Sequence, residues 1–270
     1  MKAGIWTNYY FDRPFEEKVK LYLQAGLRYG ELSDEDGFSL LERGRGTGVG
    51  KEVKRFLDDS GFALPQGHLW LSVNMAVPDY RASVEKLREW IDLFAALGIQ
   101  AAVIHPGSGR AGEEKEAVME RRVNAFSSLC RFAEGAGIRI CVENMTGTSY
   151  TGVEELIALA EAVGSRAMGI CLDTGHLNIS KGDPYAFIAK AGNLLQAMHI
   201  ADNEGEKDQH MMPYGRGTVN WEAVLKGLGE IGYQGFCSFE IPGESLGPLP
   251  VKQHKLVYIR EIMKYMGMDS

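Results

Sequence analysis

The sequence predicts an α/β fold in which eight parallel strands close into a (β/α)8 barrel, a single domain over residues 1-270. Three observations predict it. Eight short apolar runs recur along the chain, the stretches between them have helical period, and glycine ends most of those stretches just before the next run. Strands alternating with helices imply a parallel sheet. Eight such units in a chain of this length fit one closed barrel. An open doubly wound sheet usually has fewer strands and a glycine-rich phosphate loop after the first. Here TNYYFDRP (7–14) follows the first run, with no such loop.

In chain order, KAGIWT (2–7) is the first strand. Gly26 supplies the left-handed helix stop before YGEL (29–32), and Gly61 does so before FALPQGHL (62–69). Val84, Leu87, Ile91 and Phe94, at i, i+3, i+7 and i+10, lie on one helix face, and Gly98 ends that helix before AAVIH (101–105). Gly137 precedes IRICVE (138–143). Thr151-x-x-Glu154 fits a capping box opening the next helix, which Gly164 closes before MGICLD (168–173). Asp183-Pro184 pairs an N-cap with proline at the first helical position, ahead of LQAMHI (195–200). Trp221, Val224, Leu225 and Leu228, at i, i+3, i+4 and i+7, define the helix that Gly232 ends before GFCSFE (235–240).

Composition narrows the function. Hydrophobic residues make up 45% and charged residues 24%, as in an ordinary globular protein with a full core. A net charge of −7 opposes a polyphosphate partner, so nucleic acid is not expected. The four cysteines form no C-x-x-C pair, and three sit in apolar runs (RICVE, GICLD, FCSFE) as small hydrophobes, so neither a disulfide framework nor a zinc knuckle is expected. MKAGIWTNYYFDRP lacks the apolar core of a signal peptide, and no apolar run is long enough to span a bilayer. The expected compartment is a reducing cytoplasm, with no membrane partner. Oligomeric state is open, homo-oligomer included; the stretch YYFDRPF (9–15) is either a pocket lid or a subunit contact.

In such barrels the active site lies at the C-terminal ends of the strands. Here those ends carry His68, His105, Glu143, Asp173 with His176 just after, His199 and Glu240; the loop ADNEGEKDQH beyond His199 adds Asp202, Asp208 and His210. Of six histidines, only His254 falls outside this set. Taken alone, a histidine at a strand end is usually a satisfied hydrogen-bonding group, and a lone glutamate at a loop start is usually a cap or a surface charge. The inference rests on convergence. Carboxylates aimed at one mouth repel each other and shift in pKa unless a cation intervenes, and a divalent metal is the simplest such cation. The Asp-Thr-Gly in ICLDTGHLNIS (170–180) also matches an aspartic protease, but that chemistry needs two such loops and the chain has one, followed by a histidine. Glu143, Asp173, His199 and Glu240 form an oxygen-rich set with one imidazole, suited to Mn, Mg or Co. With His68, His105, His176 and His210 the neighbourhood becomes nitrogen-rich and able to hold Zn, including more than one ion.

These residues resemble the xylose-isomerase-like TIM barrels of the sugar-phosphate isomerase/epimerase superfamily, also called AP endonuclease family 2. The matching motifs are GH at His68, VIHPG at His105, VEN at Glu143, CLDTGH at Asp173 and His176, MHIADNEGEKDQHMMPYGRGTVNW around His199, and SFEIPG at Glu240. The resemblance implies that Glu143, Asp173, His199 and Glu240 hold one divalent metal ion in the isomerase and epimerase branch, with His176 facing a small-molecule carbohydrate. A second branch, endonuclease IV, holds three zinc ions with nine ligands, and all nine have counterparts here: His68, His105, Glu143, Asp173, His176, His199, Asp208, His210 and Glu240. The acidic SDEDGF (33–38) after the second run argues against a phosphodiester-binding face. One departure stands out. Ketose 3-epimerases carry an arginine a few residues after the seventh-strand histidine; here that stretch is ADNEGEK, and Arg216 in PYGRG comes much later as a stand-in for substrate contact.

The reaction implied is proton transfer through an enediolate, with Glu143 and Glu240 as the carboxylates that remove and return the proton and His176 bonding a substrate oxygen. His68 and His105 line the pocket or bind a further ion, and Trp6 and Trp70 either cover a sugar face or pack in the core. Loss of a β-hydroxyl from the same enediolate would make the chain a dehydratase instead. A non-catalytic binder would show a broken ligand set, and none of the four primary ligands is missing.

Overall fold

The computed structural model describes residues 1–270. Strands β1 (Lys2–Trp6), β2 (Tyr29–Leu32), β3 (Ala63–His68), β4 (Ala101–Ile104), β5 (Arg139–Glu143), β6 (Met168–Asp173), β7 (Leu195–Ile200) and β8 (Phe236–Phe239) follow one another around a closed barrel. Every pair is parallel, and β8 returns to β1 with Lys2 opposite Phe236 and Ile5 opposite Phe239. Each of the eight apolar runs is thus a strand of a TIM barrel. Parallel strands covered on both faces read as continuous apolar runs, and β4 and β6 are buried at every residue.

Outside the strands lie α1 (Phe15–Gln24), α2 (Asp34–Leu41), α3 (Gly46–Ser60), α4 (Tyr80–Leu97), α5 (Lys115–Ala136), α6 (Val153–Val163), α7 (Thr174–Ile179), α8 (Pro184–Ala191), α9 (Trp221–Glu230) and α10 (Leu249–Tyr265). The predicted faces are the buried ones: Val84, Leu87, Ile91 and Phe94 on α4, and Trp221, Val224 and Leu228 on α9, with Leu225 half-buried. Gly26, Gly61, Gly98, Gly137, Gly164 and Gly232 all have φ between 62 and 83°. At Gly98 that conformation turns the backbone N–H back onto Ala95 and Phe94, closing α4. Asp183 caps α8 by accepting from Tyr185 N at 2.9 Å and Ala186 N at 3.3 Å, with Pro184 in the first turn.

One cap differs from expectation. α6 begins at Val153 with Gly152 as its N-cap and no side-chain cap bond, so Thr151 lies outside the helix. A start one residue later leaves the threonine hydroxyl out of reach of the first free N–H groups. Glu154 and Glu155 in the first turn instead complement the helix dipole, and Glu154 pairs with Lys190 of α8. The stretch 9–15 is divided: Tyr9, Tyr10 and Phe15 are buried, with Tyr9 donating to Lys252 O at 2.8 Å, while Phe11, Asp12 and Pro14 face solvent. All four cysteines are free and buried. No helix is long and apolar enough to cross a membrane.

α3 lies very close against α4. A Cβ added at Gly50 would meet Ala96 Cβ at 2.6 Å, and one at Gly46 would meet Glu89 O at 2.5 Å. Overpacking a filled interface costs about 1–3 kcal/mol, so Gly50→Val is expected to lower stability by that amount in urea unfolding. An unchanged midpoint would mean the two helices can separate freely.

Candidate metal centre

Four strands deliver the centre. Glu143 closes β5, Asp173 closes β6, His199 lies on β7 and Glu240 directly follows β8. One ligand atom from each lies within 4.8 Å of the others. His68, His105 and Glu143 form a second such group, sharing Glu143 with the first. Parallel pairing places Asp173 in register with His199, which is why two residues distant in sequence arrive at one point.

Local bonds then aim the side chains. Asn144, fully buried after Glu143, accepts from Asp173 N at 2.7 Å, donates its amide to Asp173 O at 3.1 Å, and accepts from His176 Nδ1 on its own carbonyl at 2.9 Å. Asp173 caps α7 by accepting from His176 N at 2.6 Å, which puts His176 on the first turn, facing the centre. His68 Nδ1 donates to Leu69 O at 2.7 Å, and His210 Nδ1 donates to Glu240 O at 2.7 Å. Their Nε2 atoms are left facing inward. His176 Nε2 and His210 Nε2 each lie 3.2 Å from Asp208 Oδ2. His210 holds a left-handed backbone, φ 45°. That strain for a non-glycine residue is sustained by the neighbouring Asp202–Met211 bridge. Asp202 itself anchors the loop, accepting from Val219 N at 3.1 Å and Trp221 Nε1 at 2.9 Å.

The electrostatics ask for a cation. His199 Nδ1 lies 3.1 Å from Glu143 Oε1, 3.2 Å from Glu240 Oε2 and 3.9 Å from Asp173 Oδ2. One N–H cannot serve three carboxylates. Asp173 Oδ2 and Glu143 Oε2 are buried with no hydrogen-bond partner, although His105 Nε2 and His68 Nε2 stand 3.3 and 3.5 Å from the latter. A buried ionised carboxylate without compensation costs several kcal/mol. Three carboxylates and one imidazole suit a hard or borderline divalent ion, so the residues present fit the group.

Burial lifts the Glu240 carboxyl to about 7. Burial acts the same way on Glu143, but His199, His105 and His176 hold it well below the usual carboxylate range. Burial disfavours the imidazolium at His199, yet Glu31, Glu143 and Glu240 push its pKa well above 6.5. Against the same penalty, Asp173, Asp208 and Glu143 raise His176 to about 12, and Asp208 and Glu240 raise His210 to about 10. A divalent ion bound at Nδ1 of His199 must displace a proton. Loading near pH 7 is therefore expected to release about one proton per ion or more, read as a calorimetric enthalpy that changes with the ionisation heat of the buffer. Identical enthalpies in phosphate and Tris would contradict a protonated His199.

Trp6 and Trp70 are half-buried; Trp70 packs on Phe38 at 5.8 Å, and Lys86 Nζ lies 5.0 Å from its ring centroid. The Arg216 side chain is 74% exposed, with Nε 3.6 Å from Glu204 Oε1. Two residues escaped the sequence reading. Asn144 carries no ligand chemistry and was visible only as the third letter of VEN. Glu31, fully buried on β2, places Oε1 3.1 Å from His199 Nε2. Its one signal was a lone acid inside a strand that must be buried, one residue short of the strand end.

Comparison with known proteins places the chain among barrels of this kind. The model of the xylose isomerase-like TIM barrel matches residues 19–265. An uncharacterized protein of Methanocaldococcus jannaschii, MJ1311, is 32% identical over 174 residues, 59% of this chain and 57% of that protein, so little more than half of that relative is spanned. A ketose 3-epimerase of Arthrobacter globiformis is 29% identical over 258 residues, 89% of this chain and 83% of the relative. The crystal structure of a D-tagatose 3-epimerase-like protein superposes with a TM-score of 0.83 at 24% identity, over 98% of this chain and 97% of the other, a likeness of fold.

Proposed function

Because the chain belongs to the xylose isomerase-like TIM barrel family, we propose that it is a metal-dependent sugar isomerase or epimerase that moves a proton beside a substrate carbonyl. The observation that carries this reading is the convergence of Glu143, Asp173, His199 and Glu240 within 4.8 Å at the C-terminal mouth of the barrel. The ketose 3-epimerase relative supports it.

A divalent cation (Mn, Mg, Co or Zn) held by those four residues would supply Lewis-acid polarisation of the carbonyl. The chain's own groups supply the proton traffic. Glu143, kept ionised by the imidazoles around it, serves as the base. Glu240, the second carboxylate at the same centre, would return the proton. His176, braced by Asn144 and Asp173, would donate from Nε2 to a substrate oxygen in exchange for its present partner, Asp208 Oδ2 at 3.2 Å. His68 and His105 line the same mouth.

The grouping of His68, His105 and Glu143, with His176, Asp208 and His210 nearby, favours a second reading as a multi-zinc phosphodiesterase. The test incubates the purified chain with a ketose panel in deuterated water, one divalent metal at a time, and separately with abasic-site DNA. Deuterium entering a ketose at the carbon beside the carbonyl supports the isomerase or epimerase. Loss of water from the substrate would make it a dehydratase. Strand cleavage with no exchange on any ketose would replace the proposal with the nuclease.

A further inference from the structure

We propose that Glu31 is a positioning residue that holds the His199 ring with Nδ1 turned into the metal centre, a role that rests on the metal-centre reading above. His68, His176 and His210 each have Nδ1 tied by a backbone carbonyl, of Leu69, Asn144 and Glu240 respectively, which leaves Nε2 for the site. His199 is reversed. Its Nδ1 faces Glu143 and Glu240, and its outer nitrogen, Nε2, meets the carboxylate of Glu31 at 3.1 Å. No backbone carbonyl does that work here, because the ring crosses the barrel interior, where the carbonyls are engaged in strand pairing. The acceptor must come from a side chain on the far side, and β2 is not a neighbour of β7 in the sheet.

Glu31 has no other evident purpose. It is fully buried, and its Oε2 has no hydrogen-bond partner. A buried carboxylate is costly unless something requires it. An Nε2–H bond to a carboxylate selects the tautomer whose lone pair is on Nδ1, fixes the ring and strengthens it as a donor; loss of such partners typically weakens metal binding about 10–100-fold.

The test titrates Co2+ into the native chain and into Glu31→Leu and Glu31→Gln, following visible absorption and heat. Leucine removes the acceptor at similar volume, and glutamine keeps an Oε1 acceptor without the charge. Glu31→Leu is expected to bind Co2+ about 10–100-fold more weakly with an altered spectrum, and Glu31→Gln to recover part of the loss. Native affinity and a native spectrum in both variants would overturn the role of Glu31 while leaving the metal centre standing. Failure of the native chain to bind any divalent ion would overturn the metal reading and this role with it. Should Glu31→Leu fail to fold, Glu31→Met, which also lacks an oxygen acceptor, takes its place: weaker binding supports the role and native affinity overturns it.

Discussion

Glu143→Gln is expected to fold like the native chain and to lose about 10³–10⁴-fold in turnover of the ketose that the native protein exchanges. The fold should survive because glutamine keeps the volume and one acceptor oxygen at the end of β5. Turnover should not, because Glu143 belongs to both ligand groups and is the carboxylate within reach of four imidazoles, His68, His105, His176 and His199. Removing its charge takes away a base and a ligand together, so metal affinity should fall alongside kcat. Steady-state kinetics with saturating metal and a circular dichroism melt separate the two effects. Native turnover in this variant would show that the proton is taken by another group, with Glu240 as the next to replace.

Stripping divalent ions with a chelator is expected to abolish proton exchange and to lower Tm by roughly 8–16 °C. An ion at a thousand times its Kd stabilises the fold by about 4.1 kcal/mol, and each kcal/mol moves Tm by about 2–4 °C in a chain of this size. The loss should depend on pH. His210 and His176 have folded-state pKa values raised to about 10 and about 12, and that of His199 is raised as well. A raised pKa contributes stability that is fully present below the unfolded value of about 6.5 and fades as pH climbs through the folded one. The stripped protein therefore weakens from about pH 6.5 towards pH 10, where protons leave the imidazoles that offset the buried carboxylates. A bound cation does that work without a proton. The gap in Tm between loaded and stripped protein should widen over that window, as scanning calorimetry at several pH values would show. A gap that is absent, or constant with pH, counts against a cation at this cluster.

Much of this was legible in the chain because the signals are local. Apolar runs at regular intervals, α4 and α9 faces at helical spacing and glycine stops with φ near 70° depend on neighbours a few residues away. The candidate ligands were legible for a related reason: once eight parallel strands close, every C-terminal end meets the same mouth, so position along a strand already specifies position in space. Thr151 shows the limit of local reading. Its spacing to Glu154 was right for a capping box, but a helix start one residue later removed it.

By itself, then, the order of residues determined the barrel and which acids and imidazoles would gather at its rim, since periodicity and strand ends are properties of short segments. Only the tertiary structure decided how those groups are aimed. Asn144 bracing Asp173 and His176, Phe38 and Lys86 beside Trp70, and Glu31 meeting His199 across 168 residues of chain are contacts between segments with no pattern in common. Which nitrogen of His199 looks into the centre depends on a carboxylate on the opposite wall of the barrel, a relation that exists only once the sheet has closed.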